Sequence, residues 1–367
     1  MRSVARLLVA LCLATAVVAA DPQLHVVYTF DPAAGLTPTG PLLQRRDGSF
    51  VVAAHRAHGA AVLVRVNPKG NGRVIHEFDE DGVEPQSMIE TEDGRVLGVT
   101  AHGAIFALDP TDRVAMLGGL PGHGVGQCRA WLTERSHGGI FGVATSAGTA
   151  GTIFRLESDG TVVILHQLRG DGSEGASPIG PLVEFPDGYF YGAVSAGGAH
   201  GVGGLYRVTP DGEVAVVHSF DPRTEGATPA GGIALGPGKS GFGVLALSAK
   251  SYAGGAIYRW NQDGSFSIVH DFAGAEGSSP FGELMGVDAE SLVSNGLLAG
   301  ATRSSGPNGT GTVYLCDTRR ATTSVIYAFR NTDSPLAGGL IQGRDGSFYG
   351  VTTGDDTAPA MMFRIGR

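Results

Sequence analysis

The chain has 367 residues, of which 42% are hydrophobic and only 17% charged, with 59 glycines and a formal net charge of −9. That composition supports a sizeable core and excludes a disordered chain, and the absence of a G-X-Y period excludes collagen. The acidic balance argues against nucleic acid or an anionic membrane surface as partner, since both need a basic footprint.

Residues 1–20 read as a targeting segment. Arg2 and Arg6 give a positive start, residues 7–18 form a short apolar run, and Val18-Ala19-Ala20 offers small residues for cleavage. A bilayer span takes about 20 apolar residues, so this run is too short to be one. No second such run follows, and Ile365-Gly366-Arg367 carries no hydrophobic anchor. The expectation is a free, exported protein, extracellular or periplasmic, without a membrane span. Cys12 lies inside the apolar run and lacks a small residue before it, so lipid modification is not expected. Export permits a disulfide between Cys128 and Cys316. They fall in different repeat units, however, and are expected to be buried free thiols.

From residue 24 onward the chain is an internal repeat. An apolar residue ends a strand at Phe30, Phe78, Leu120, Leu168, Phe220, Phe272 and Phe329. A proline follows at Pro38, Pro85, Pro178, Pro229, Pro280 and Pro335, with Cys128 in the third place. Turns come next at Asp47-Gly48, Asp93-Gly94, Asp187-Gly188, Asn295-Gly296 and Asp345-Gly346, with His137-Gly138 and Gly238-Lys239 in the other two places. Each unit reads as four strands, in the fourth unit over 181–185, 189–193, 204–209 and 214–220, joined by short glycine turns that suit hairpins. Four strands per unit of about 45–50 residues predict a β-propeller blade. Blades are expected over 40–78, 86–120, 130–168, 180–220, 231–272, 282–329 and 338–365. The seventh unit lacks a fourth strand, and residues 24–30 supply one. Val26-Val27-Tyr28-Thr29-Phe30 matches Val216-Val217-His218-Ser219-Phe220 place for place. The fold expected is therefore all-β, a single seven-bladed propeller over 21–367 closed by its first strand, in preference to an open solenoid with no use for that register.

The run Phe190-Tyr191-Gly192-Ala193-Val194-Ser195-Ala196-Gly197-Gly198, then Gly203-Gly204-Leu205-Tyr206-Arg207-Val208-Thr209-Pro210-Asp211-Gly212, and Phe348-Tyr349-Gly350-Val351-Thr352-Thr353-Gly354 resemble the bacterial GloVer (Gloeobacter–Verrucomicrobia type) tandem repeat. The resemblance is good in units four, five and seven and looser elsewhere; in unit one Val51-Val52 replaces Tyr-Gly. It implies export, often with a C-terminal anchor that this chain lacks, and no established activity. No catalytic residue is carried over.

Most chemically suggestive residues recur with the repeat and read as structural. His76, His166, His218 and His270 share one place on the fourth strands, with Tyr28 and Tyr327 in two further units. Arg65, Arg155, Arg207, Arg259 and Arg364 share another on the third strands, where interblade hydrogen bonds or exposed salt bridges are expected, a polyanion site being the bolder reading. Gly40, Gly180, Gly231, Gly282 and Gly338, with Gln86 and Ala130 standing in, open the inner strands, where a missing side chain permits close approach.

Specific chemistry is expected in the non-repeating loops of one face. These carry His55, His58, His102, His123, His200, Lys250 and Tyr252 as candidate binding residues, together with Asp171, Glu174, Glu225, Glu276, Asp355 and Asp356. His55, His58, His102 and His123 fall in adjacent blades, and three imidazoles suffice to hold Zn²⁺ with an open position. Solvated loop histidines are the simpler reading. Asp171-Gly172-Ser173-Glu174-Gly175 resembles part of a Ca²⁺ loop but lacks the full ligand register. No cofactor is expected. Residues 197–204 form no phosphate loop, since no Lys or helix follows, and no nucleophile elbow occurs. The favoured expectation is a monomeric, non-catalytic binding module for carbohydrate or another surface protein. The alternative is a propeller enzyme, a metal-assisted lyase or lactonase or a glycan hydrolase.

Overall fold

The computed structural model describes residues 23–366 except 32, 34, 58, 82–83, 122–127, 147, 251–253, 288–295, 331–332, 334–335 and 355–357. The targeting segment and Cys12 lie outside the described residues. No helix among the described residues is long and apolar enough to cross a membrane.

Seven antiparallel sheets form the blades of a seven-bladed β-propeller. Blade one is Thr37–Gln44, Phe50–His55, Ala60–Val66 and Gly72–Asp81, from the channel outward. Second strands are almost wholly buried, because each sheet packs against a neighbour on both faces; fourth strands are half-exposed at the rim. Blade seven joins Ile341–Gln342, Phe348–Val351 and Met361–Ile365 to Leu24–Thr29 from the chain start.

The borrowed strand reproduces the repeat in detail. Its pairing with Met361–Ile365 jumps between Val26 and Tyr28, leaving Val27 in a bulge. Every other fourth strand bulges at the same place, blade four at Val217. A bulge increases twist and turns an outer edge away from further pairing. Three of the bulges also receive a glycine turn of the next blade. A Cβ on Gly70 would stand 2.4 Å from Val27 O, as one on Gly160 would stand 2.9 Å from Leu117 O and one on Gly212 2.8 Å from Leu165 O. The junction of blades seven and one is thus built like those between other blades, although inside blade seven the outer strand is joined to Met361–Ile365 by pairing alone.

Core packing explains the remaining landmarks. Phe30, Phe78, Leu120, Leu168, Phe220, Phe272 and Phe329 are all buried. Phe78, Phe220, Phe272 and Phe329 each meet an aromatic ring of the next blade, Phe106, Tyr258, Tyr314 and Phe363, with centroids 5.0–5.7 Å apart. Those rings lie across glycines of their own second strands. The pairs are Gly98–Phe106, Gly142–Phe154, Gly192–Tyr206, Gly243–Tyr258, Gly300–Tyr314 and Gly350–Phe363. A Cβ on any of these glycines would come within 2.6 Å of the aromatic side chain opposite. In blade one the pair is Val52 and Val64, both fully buried. The Val-Val of unit one is therefore a volume exchange across one strand pair rather than a lost repeat. Cys128 and Cys316 are free and buried, and burial pushes their thiols up to about 11 and about 12.

The inner strands differ from expectation in one respect. They begin earlier, as in Thr37–Gln44, Ala176–Glu184 and Ser278–Gly286, so the repeated glycine sits within the strand. Two extra residues bulge inward there: pairing jumps from Pro38 to Leu42, Ile179 to Val183 and Phe281 to Met285.

Candidate functional site

On the loop face the structure disperses the predicted residues. His55 ends its strand half-buried, with Nδ1 3.6 Å from Glu84 Oε1 of blade two. His102 and His200 are exposed and form no hydrogen bond or ion pair with other described residues. Lys250 Nζ is tied back to Asp271 Oδ2 at 2.8 Å. His58, His123, Tyr252, Asp355 and Asp356 lie outside the described residues. Among the described residues, no three His, Cys, Asp or Glu stand together as metal ligands.

The loop acids are engaged in a repeated clasp that sequence reading assigned to separate places. The rings of His166, His218 and His270 hydrogen-bond Glu174 at 2.9 Å, Glu225 at 3.0 Å and Glu276 at 3.0 Å. Each carboxylate also accepts the backbone N–H three residues past its histidine, from Arg169, Asp221 and Ala273. Tyr327 donates to Asp333 Oδ2 at 2.7 Å in blade six, and Arg330 N–H donates to the same oxygen. Burial opposes the charge of Glu174 and of Glu276. The histidine and backbone donors outweigh it and hold both carboxyls below the usual range. The clasp pins each fourth-to-first loop onto its rim strand. Asp171, part of the supposed Ca²⁺ loop, accepts from Ser173 N–H instead. The arginine row is likewise structural: Arg65 pairs with Asp112 of the next blade at 2.7 Å, Arg155 with Glu157 at 2.6 Å, and Arg207 lies 4.8 Å over the Tyr189 ring.

Chemistry that sequence reading missed lies in the channel. The residue after the repeated glycine of the inner strands is Pro41, Ser87, Trp131, Pro181, Gly232, Glu283 and Gly339 in turn. Only Glu283 carries charge. A Cβ placed on Gly180 would stand 3.4 Å from its Oε1, and one on Gly232 3.4 Å from its Cγ. Its side chain therefore reaches past blade five toward blade four, through room those glycines leave. The carboxyl keeps contact with water along the channel, yet protein encloses its flanks, and this burial pushes it up to about 7. A carboxyl raised in the folded state binds protons more tightly folded than unfolded, so stability falls as pH rises from about 4.5 toward 7. Glu283→Gln is expected to leave the guanidinium midpoint unchanged near pH 5 and raise it near pH 8. Parallel pH dependence in both proteins would show that the carboxyl titrates normally. The repeat alignment held this signal, as the single acid among seven equivalent places.

A second feature is a cleft of about 660 Å³ at the closure seam, on the face opposite the loops. It lies where other blades have the turn joining third and fourth strands; in blade seven those strands come from opposite ends of the chain. Its walls include His25 of the borrowed strand, Arg46 and Lys69 of blade one, and Arg344, Asp345 and Arg364 of blade seven. Asp345 is already engaged by Tyr349 Oη at 2.9 Å and by Arg364 at 3.7 Å. Burial disfavours its charge, but hydrogen bonds from Ser347 and Tyr349 prevail and hold it below the usual carboxylate range. Asp47, on the same wall, is bound to Arg65. Lys69 and Arg344 are exposed and form no ion pair among the described residues.

Solved propellers resemble the whole ring. Virginiamycin B lyase from Staphylococcus aureus is 15% identical, with a TM-score of 0.66 over 94% of this chain and 100% of its own. The extracellular domain of a one-component system from B. thetaiotaomicron is 12% identical, TM-score 0.60, over 92% of this chain and 42% of its own. Oligogalacturonate lyase from Vibrio parahaemolyticus is 11% identical, TM-score 0.57, over 94% and 97%. At these identities the likeness shows the fold alone. None of the curated proteins matches in sequence. The model of the Gloeobacter/Verrucomicrobia repeat matches residues 98–292, more than half the chain, and the protein belongs to the Gloeobacter/Verrucomicrobia repeat family.

Proposed function

We propose that the protein is an exported, non-catalytic binding module for a polar ligand of the cell envelope or its surroundings, carbohydrate above all. The observation that carries this reading is the seam cleft. It is open, of ligand size, and two of its lining cations, Lys69 and Arg344, make no ion pair among the described residues, in a chain that is acidic overall. Groups held without partners at a concave surface are what a ligand would satisfy. The test is a glycan array probed with the mature chain, followed by calorimetry on the hits. Binding to a restricted set of glycans is expected; no retention on any glycan, together with turnover of one of them, would reverse the reading.

A second reading, a propeller enzyme, is favoured by one residue. Glu283 is the single acid among the seven equivalent inner-strand places, reaching between the glycines of blades four and five, and its flanking protein pushes the carboxyl above the usual range; such shifts concentrate at catalytic sites. On that reading Glu283→Gln abolishes turnover of a glycan substrate while leaving the fold intact. On the binding-module reading the substitution changes only the pH dependence of stability.

A further inference from the structure

We infer that the ligand of the seam cleft is anionic, carrying two or more carboxylate or phosphate groups, and that it locks the propeller ring when it binds. This rests on the binding-module reading and adds a place, a charge and a consequence to it.

The charge follows from what the fold leaves unpaired. The acids on the cleft wall already have partners: Asp47 has Arg65, and Asp345 has Tyr349 and Arg364. The cations are less spent. Arg46 reaches only a backbone carbonyl, Glu92 O, and Lys69 and Arg344 make no ion pair among the described residues. Such a local excess of positive charge inside an acidic molecule focuses anions onto one place. The guanidiniums offer forked donors that match carboxylate or phosphate oxygens. Lys69 belongs to blade one and Arg344 to blade seven, so a ligand with a single anionic group cannot be assumed to meet both; an oligomer can.

The consequence follows from the walls. His25, Val26 and Val27 of the borrowed strand, with Pro68, Lys69 and Gly70 of blade one, form one side, and Arg344, Asp345, Tyr349 and Arg364 of blade seven the other. A strand pairing that no turn joins, Leu24–Thr29 with Met361–Ile365, runs between them, and Gly70 is seated against Val27 on the first side. A ligand held by both sides is bound by the closed ring and not by an open one, so it must stabilise closure by mass action.

The test uses the mature chain with three probes: a uronate tetramer, tripolyphosphate and a neutral tetrasaccharide. Binding is followed by calorimetry at low and high salt, and backbone exchange of residues 24–29 by hydrogen–deuterium mass spectrometry. At least one anionic probe is expected to bind, to weaken with salt, and to slow exchange in 24–29. The neutral sugar is not. Lys69→Ala and Arg344→Ala remove exposed side chains, and each is expected to weaken binding about tenfold, the scale of one charge-assisted bond. Arg223→Ala, on the opposite face, is the control and leaves affinity unchanged. Uronate binding without tripolyphosphate binding identifies an acidic glycan, and the reverse a phosphate-bearing polymer. Failure of both anions, equal binding of the neutral sugar, or wild-type affinity in both alanine variants overturns the charge assignment. Anion binding with unchanged exchange in 24–29 overturns the lock. If array hits persist at full strength in the double variant, the binding-module reading stands and the seam assignment falls.

Discussion

A chain that lacks residues 24–30 is expected to lose its cooperative unfolding transition altogether. Leu24–Thr29 supplies the whole outer strand of blade seven, and Phe30 is fully buried with its N–H bonded to Ala360 O at 2.9 Å. Loss of the Phe30 ring alone is worth about 3–5 kcal/mol on the scale of large-to-small core changes. The deletion also bares Met361–Ile365 as an edge strand and empties the site against which Gly70 and Gly72 pack. Total stabilities of about 5–15 kcal/mol leave little after that. Circular dichroism on heating and light scattering at room temperature make the comparison. A truncated chain that melts with the full-length midpoint and stays monomeric would falsify closure by the first strand.

Gly243→Val is expected to destabilise the protein by about 3 kcal/mol, the upper range for overpacking a tight core. Gly243 pairs with Tyr258 across adjacent strands, and a Cβ at Gly243 would stand 2.3 Å from the phenolic oxygen. Tyr258 cannot retreat, because Phe220 of blade four and Phe266 hold its ring at 5.2 Å and 5.7 Å. Blade one suggests the rescue, since it keeps the same place with Val52 against Val64. Gly243→Val combined with Tyr258→Val should recover part of the loss. The Tyr258 hydroxyl is enclosed and has no hydrogen-bond partner among the described residues, so removing it sacrifices no bond. Guanidinium titration of the two single variants and the double variant measures the coupling. Additive effects, with the double variant the least stable, would show that ring and glycine do not share one space.

The clasp shows how far reading residues one at a time can go. Four histidines in one register were legible as structure, because a place shared by all blades cannot converge on one ion. Their partners were not, since Glu174, Glu225 and Glu276 follow at intervals of eight, seven and six residues and so keep no fixed spacing. The loop adjusts its length while the carboxylate returns to the same ring nitrogen, a match made in space. Glu283 shows the converse. Its place in the repeat was legible, but its elevated carboxyl depends on how near the glycines of blades four and five approach.

Repetition is why so much could be read from residues alone. Every blade meets nearly the same neighbours, so the same landmarks recur, the turns at intervals of 44 to 57 residues: an apolar residue at the strand end, a proline after it and a glycine turn. These determined the blade count, the register, the closure by the first strand and the family. Function has no such redundancy. The seam cleft lies where Leu24–Thr29 and Met361–Ile365 pair without a turn between them, and its walls join residues near 25, 69 and 344. The channel acid exists once, in a ring of places otherwise without charge. Which cations remain unpaired and which carboxyl resists ionisation are set by distances across the ring, and only the folded chain contains those distances.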